Sequence, residues 1–175
     1  MNPEQSHKIV EIKARCTNFD RVRRRLEEAG ARLQGTDHQT DTYFRVSAGR
    51  LKLRQGNIEN TLIFYQRQDQ KEAKRSDVFL CPSQEPAQLL GLLSAALSTL
   101  VIVRKERQIY WLENVKIHLD QVAELGRFVE IEAIDLEHTL TESELRTQCR
   151  DLQTKLGIGE SDLIDGSYSD MLMNS

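Results

Sequence analysis

Apolar and polar residues alternate with a period of two along several stretches of this chain. Val10, Ile12 and Ala14 alternate with Glu11, Lys13 and Arg15, and Leu51 and Leu53 with Arg50, Lys52 and Arg54. Val115, Ile117 and Leu119 alternate with Lys116, His118 and Asp120. Successive strand side chains point to opposite faces, so each run predicts a strand with one apolar and one polar face. Strands are predicted over 8–16, 31–46, 50–55, 60–68, 99–112, 116–122 and 128–134, with turns at Gly49, Gly56-Asn57, Glu113-Asn114 and Gly126.

Three helices interrupt them. Asn18 can cap the first, with Asp20 in its first turn and Gly30 just past its end. Pro86 suits the first turn of a second over 85–97, and Thr141 with Glu144 has capping-box spacing for a third that runs to 156 and stops at Gly157. Runs of strands broken by helices, without βα alternation, predict an α+β domain with mainly antiparallel pairing. No repeat or linker-like stretch divides the chain, so residues 1–175 read as one domain.

The longest apolar stretch, AQLLGLLSAALSTLVIV over 87–103, is shorter than the ~20 residues of a membrane span and contains Gln88, Gly91, Ser94, Ser98 and Thr99. It predicts a buried helix followed by the start of a strand. The first residues hold no apolar signal core, and Cys16, Cys81 and Cys149 form no zinc-like or disulfide-like spacing, which together predict a cytoplasmic protein with reduced thiols. A net charge of -3 gives the molecule no overall attraction for nucleic acid or an anionic membrane. Any polyanion must therefore meet a local basic surface.

The strand faces supply one. Arg50, Lys52 and Arg54 share a face, as do Lys105 and Arg107, while Glu130 and Glu132 share a face in the run 128–134. An amphipathic sheet with a solvated polar face needs only such alternation and no function. Here, however, the polar positions are charged in nearly every strand, with acids in the first and last strands and cations between. Clustered like charges repel unless a ligand or counterion neutralises them. A triphosphate with a divalent cation would meet both halves, phosphate oxygens on Lys and Arg and the metal on the carboxylates. Among other residues, His118 lies on the charged face, whereas His7, His38 and His138 have no metal spacing. Tyr43 and Tyr65 could touch substrate or position a lysine, with barrel packing as their ordinary role. Trp111 beside Tyr110 reads as a packing residue, and the arginines at 21 and 23–25 read as a solvated helix face. Lys71, Lys74 and Arg75 read as part of a loop.

Taken in order, several segments resemble the CYTH superfamily, whose members include class IV adenylyl cyclases, thiamine triphosphatases and inorganic triphosphatases. Val10-Glu11-Ile12-Lys13-Ala14-Arg15 is similar to its N-terminal ExExK signature. Gln39 to Phe44, Gly49 to Arg54, Leu62 to Arg67, Val103 to Arg107 with Tyr110, Ile117 to Val122, Leu125 to Glu132 and Ser167 to Leu172 continue the series. The resemblance implies a closed antiparallel β-barrel of about eight strands, a triphosphate tunnel, with helices packed outside. It implies metal-binding roles for Glu11, Glu130 and Glu132, and phosphate-binding roles for Lys13, Lys52, Arg54, Arg67, Lys105 and Arg107. Lys13 and Asp120 would also serve the chemistry, Asp120 by assisting the metal or orienting a base. Ile9 stands where the first acid of the signature would be, and one carboxylate fewer implies fewer or weaker metals.

The implied cofactor is Mg²⁺ or Mn²⁺, and the implied partner is a small-molecule triphosphate: a nucleotide, thiamine triphosphate or inorganic triphosphate. The shortened signature and the segment HLDQVAELGRFVEIE favour a class IV adenylyl cyclase that converts ATP to cyclic AMP and pyrophosphate. A triphosphate hydrolase and a non-catalytic triphosphate-binding module are the alternatives. A homodimer is the oligomeric state that cyclase-like relatives imply.

Overall fold

The structure is a computed structural model that describes residues 6–67 and 74–175. Eight strands are present: β1 Ser6–Arg15, β2 Arg32–Phe44, β3 Arg50–Gln55, β4 Thr61–Arg67, β5 Lys74–Pro82, β6 Thr99–Leu112, β7 Val115–Val122 and β8 Gly126–Ile134. The helices are α1 Phe19–Glu28, α2 Pro86–Ala96, α3 Glu142–Leu156 and α4 Tyr168–Met173, with a 3-10 turn over Glu160–Asp162. All strand pairs are antiparallel, in the order β1-β5-β4-β3-β2-β6-β7-β8, and β1 also pairs with β8. The order therefore returns on itself as a closed barrel, and no described strand has an unpaired edge.

Closure decides where each face goes. The apolar positions of β1, β7 and β8 face outward against α1 and α3. There Val10, Ile12, Ile117, Leu119, Val129 and Ile131 form one core with Leu26, Leu145, Leu152 and Leu156. Each fully buried Leu or Ile contributes about 1.5–3 kcal/mol by leaving water. The alternate positions face into the barrel, which is where the charges lie. Helix α1 begins as its sequence directs, the Asn18 side chain accepting from the Arg21 amide at 3.0 Å. Helix α3 has the reciprocal Thr141–Glu144 capping box and ends at Gly157 with φ 66°, a left-handed conformation that glycine adopts without strain.

Three elements depart from the sequence-based expectation. β5 is a strand that the alternation does not reveal. The segment before it is polar, and Val78 and Leu80 line the interior while Phe79 stacks on Phe64 at 6.2 Å, so both faces are apolar and period two vanishes. α2 is a helix, but not a buried one: none of its residues is buried, and Leu92 is exposed. It packs against β3. α4 is the third, a short helix capped by Ser167 and Asp170 whose Tyr168 enters the barrel. Among the described residues no helix is long and apolar enough to cross a membrane.

Candidate functional site

The barrel encloses a cavity of about 380 Å³. Its charged lining is organised around two groups of carboxylates. The first begins on β2, where Asp37, Gln39, Asp41 and Tyr43 share one face by the period-two rule and are all buried. Asp41 accepts from Arg54 on β3 through Nε at 3.0 Å and Nη2 at 3.1 Å, from Lys52 at 3.1 Å and from Lys105 on β6 at 2.7 Å. Burial pushes the Asp41 carboxyl up, but Arg54, Lys105 and Lys52 outweigh it and hold the group well below the usual carboxylate range. Lys105 shows the complementary effect. Burial, together with the neighbouring Arg54, Arg107 and Lys52, lowers its ammonium to about 7 despite the pull of Asp41. Lys52 also sits over the rings of Tyr43 and Tyr65, at 5.5 and 5.9 Å from their centroids, so these tyrosines position a lysine.

A turn delivers the next acid. Asp37 accepts from the backbone amides of Ile58 at 2.8 Å and Glu59 at 3.0 Å, and from the Gln39 side chain at 2.7 Å. The β3–β4 turn is thereby fastened to β2, helped by Asn57, whose side chain accepts from His38 N at 2.6 Å and donates to Thr36 O at 3.1 Å. Gly56 is required there, because a Cβ would lie 2.5 Å from an Asp37 carboxylate oxygen. The result aims Glu59 into the barrel, where it accepts from Arg54 at 2.8 Å and from Lys116 on β7. Burial opposes its ionisation, yet Arg54 and Lys116 keep the carboxyl well below its ordinary range.

The second group lies on β7 and β8. Glu130 accepts from Lys13, from Arg107 Nη2 at 2.7 Å and from His118 Nδ1 at 3.2 Å. Asp120 takes the other edge of the same guanidinium at 2.7 and 2.6 Å and accepts from the Tyr168 hydroxyl at 2.8 Å. Tyr168 in turn offers its ring face to Lys13 at 4.3 Å. Against burial, Lys13 and Arg107 hold Glu130 well below the carboxylate range. Glu132 behaves oppositely: burial and the charge of Glu130 push its carboxyl up to about 7. His118 is driven down to about 3 by burial and by Arg107, so its ring is neutral at physiological pH.

A divalent cation fits this corner. One ligand atom each from His118, Glu130 and Glu132 lie within 4.8 Å of one another, and the buried His118 Nε2 has no hydrogen-bond partner. A shared cation would relieve the repulsion that raises Glu132. The two carboxylates suit Mg²⁺ or Mn²⁺, and the neutral imidazole suits Mn²⁺ better than Mg²⁺, which takes oxygen ligands. Glu11 is the neighbour of Glu132 across the β1–β8 pair and lines the same cavity, but stands outside that tight group.

Lys13, Lys52, Arg54, Lys105 and Arg107 thus all converge on one cavity with Glu11, Glu130 and Glu132. Asp120 sits behind Arg107. Arg67 ends β4, and its side chain lies outside the described residues, as do Lys71 and the side chains of Lys74 and Arg75. Sequence reasoning passed over Asp41, Glu59, Lys116 and Tyr168 as site residues. Asp41 shares its alternation with Asp37, Gln39 and Tyr43, a signal present in the sequence. Glu59 lies in a turn and has no such signal. The clustered cations of the middle strands call for a ligand or counterion, and Asp41 and Glu59 supply counterions from within the fold.

The CYTH domain family matches residues 7–168. The solved structure of PH1012 protein from Pyrococcus horikoshii is 27% identical, with a TM-score of 0.81 over 93% of this chain and 98% of that one. A candidate adenylate cyclase from Vibrio parahaemolyticus is 19% identical, with a TM-score of 0.72 over 97% and 99% of the two chains. An RNA triphosphatase from Schizosaccharomyces pombe shares the fold at 10% identity and a TM-score of 0.51, over 88% and 84%. No curated protein matches the sequence. With the family match spanning nearly the whole chain and the charged barrel interior its segments imply, this protein belongs to the CYTH domain family.

Proposed function

We propose that the barrel binds the triphosphate of a small molecule together with Mg²⁺ or Mn²⁺ and acts as a class IV adenylyl cyclase, converting ATP to cyclic AMP and pyrophosphate. One observation carries this reading: the cations Lys13, Lys52, Arg54, Lys105, Arg107 and Lys116 all line a single cavity. Nucleotidyl transfer depends on neutralising phosphate charge and fixing in-line geometry more than on a special nucleophile. Arg54 and Arg107 offer forked donors to phosphate oxygens, while Lys52 and Lys105 act as point charges. In the cation–carboxylate pairs now formed, phosphate oxygens would take the place of Asp41 and Glu130 oxygens. Asp120 is a positioning residue in this scheme, since it accepts from Nε and Nη2 of the Arg107 guanidinium. Lys13, between Glu130 and the Tyr168 ring, orients the reacting phosphate. A divalent cation held by Glu11, Glu130 and Glu132, with His118 beside them, would supply Lewis-acid stabilisation of the phosphates and activate the attacking oxygen.

A hydrolase of thiamine or inorganic triphosphate is the second reading, since the same cations would hold the phosphates of either compound. The deciding experiment incubates the protein with ATP, inorganic triphosphate and thiamine triphosphate in turn, with Mg²⁺ and with Mn²⁺, and separates the products by chromatography. Cyclic AMP with pyrophosphate, lost in Glu130→Gln, is the result expected. Orthophosphate without cyclic product moves the assignment to the hydrolases. Tight binding without turnover leaves a binding module, and no binding of any triphosphate overturns the reading.

A further inference from the structure

Arg50 opens β3 and shares its inner face with Lys52 and Arg54, yet its guanidinium goes elsewhere. Lys52 and Arg54 line the cavity, and Arg50 is not among the lining residues. It turns to α4, where its Nη2 lies 3.0 Å from the Asp170 carboxylate, each side chain being 24% exposed. Asp170 shapes the start of that helix. Its carboxylate accepts from the Ser167 amide at 2.8 Å and hydroxyl at 2.7 Å, and its own amide donates to the Ser167 hydroxyl at 3.2 Å. With six residues, α4 is too short to hold its shape alone in water. It keeps its place through the barrel: Met171 and Leu172 pack against Val103, Val122 and Phe128, and Arg50 fixes the capped end.

That end carries Tyr168. Its hydroxyl donates at 2.8 Å to Asp120, which also accepts from Arg107, and its ring lies 4.3 Å from Lys13 Nζ and 5.0 Å from the Phe128 ring. Two cations of the phosphate-binding set therefore take their placement from a residue outside the barrel strands. A small rotation of α4 about its apolar contacts would move the Tyr168 hydroxyl and ring together, and with them the orientation of Arg107 and Lys13. As an ion pair, Arg50–Asp170 adds little to stability, because water screens a pair a quarter exposed. We propose that Arg50 and Asp170 are positioning residues, whose pair seats α4 so that Tyr168 holds Lys13 and the Asp120–Arg107 pair where the phosphate chain is received. This rests on the triphosphate reading above and gives Arg50 a role other than phosphate contact.

Calorimetric titration of the full chain with Mg²⁺ and diimidotriphosphate, which resists hydrolysis, separates positioning from contact by the sign of one effect. If Arg50 touched phosphate, Asp170→Asn would free it and tighten binding. Positioning requires the opposite. Asp170→Asn, which keeps a carbonyl for the Ser167 amide, and Arg50→Met should each weaken binding about tenfold, as misplacing a charged donor implies. The double variant should lie within about twofold of either single one, and Arg50→Lys within about threefold of the parent. In Tyr168→Leu, Arg50→Met should change affinity by less than about twofold. Melting temperatures of the Arg50 and Asp170 variants should stay within about 4 °C of the parent, so that the loss is not one of folding. Unchanged or tighter binding in Asp170→Asn, unchanged binding in Arg50→Met, losses that multiply in the double variant, or an Arg50→Met loss that persists in Tyr168→Leu overturns the inference while the triphosphate reading stands. No binding by the parent overturns that reading and the inference with it.

Discussion

Replacing Asp41 by Asn keeps the shape of the side chain and removes the one charge that the buried Arg54 and Lys105 share with the part-buried Lys52. Asp41 is 1% exposed and accepts four hydrogen bonds from Lys52, Arg54 and Lys105 at 2.7 to 3.1 Å. Removing one partner of a buried ion pair costs about 3–5 kcal/mol, because the remaining charges stay desolvated. Lys105, already lowered to about 7, can escape part of the cost by shedding its proton when its main attraction is gone. The lower end of the range, about 3 kcal/mol, is therefore expected. For a domain of this size about 1 kcal/mol shifts the melting temperature by about 2–4 °C, so Asp41→Asn should melt about 6–12 °C below the parent in a circular dichroism scan. Added inorganic triphosphate should raise the melting temperature of the variant more than that of the parent, since it returns negative charge to cations that have lost theirs. A variant that melts within about 2 °C of the parent would refute the view that Asp41 is the counterion of the phosphate-binding set.

Other expectations follow from the same geometry. Lys105 has a folded pKa of about 7 against an ordinary 10.5, so the unfolded chain holds the extra proton between these values. Its contribution to stability therefore rises with pH across that window, and its burial cost is fully present below pH 7. Bound phosphate would restore the ammonium, so triphosphate affinity should fall as pH rises above 7, with proton uptake at pH 8 seen by calorimetry in two buffers of different ionisation enthalpy. Uptake that persists in Lys105→Met would assign the proton elsewhere. Glu132→Gln should weaken Mn²⁺ binding, followed by electron paramagnetic resonance, by about 10-fold or more, while leaving the melting temperature nearly unchanged. Thr141→Ala removes half of the capping box of α3 and should cost about 1 kcal/mol in urea denaturation. Leu145→Ala, under the same helix and fully buried, should cost about 2–5 kcal/mol by the same assay.

The strands that hold the site were legible where the two faces differ in chemistry. β1, β3, β7 and β8 place charges inside and meet helices or solvent outside, so alternation marks them and also marks Lys13, Lys52, Arg54, Glu130 and Glu132. β5 was illegible for the converse reason: Val78, Phe79 and Leu80 meet apolar neighbours on both faces. Helix α2 shows that an apolar run does not by itself imply burial, since it packs on the outside of the closed barrel, against β3, with no residue buried.

Pairing is a different kind of information. A cation and its carboxylate meet here through strand register, Arg54 reaching Asp41 from 13 residues away and Lys105 from 64. No local pattern fixes those distances. Like charges read strand by strand therefore call for a ligand or a counterion without deciding which, whereas the closed strand order sets an acid beside each. The consequence is functional. A barrel of unpaired cations would be unstable when empty, but one whose cations already share Asp41, Glu59, Asp120 and Glu130 is stable empty, and admits a polyanion by exchanging one set of oxygens for another. Affinity is then a difference between two sets of ion pairs. That is why substitutions at the internal carboxylates should move binding as strongly as substitutions at the cations themselves.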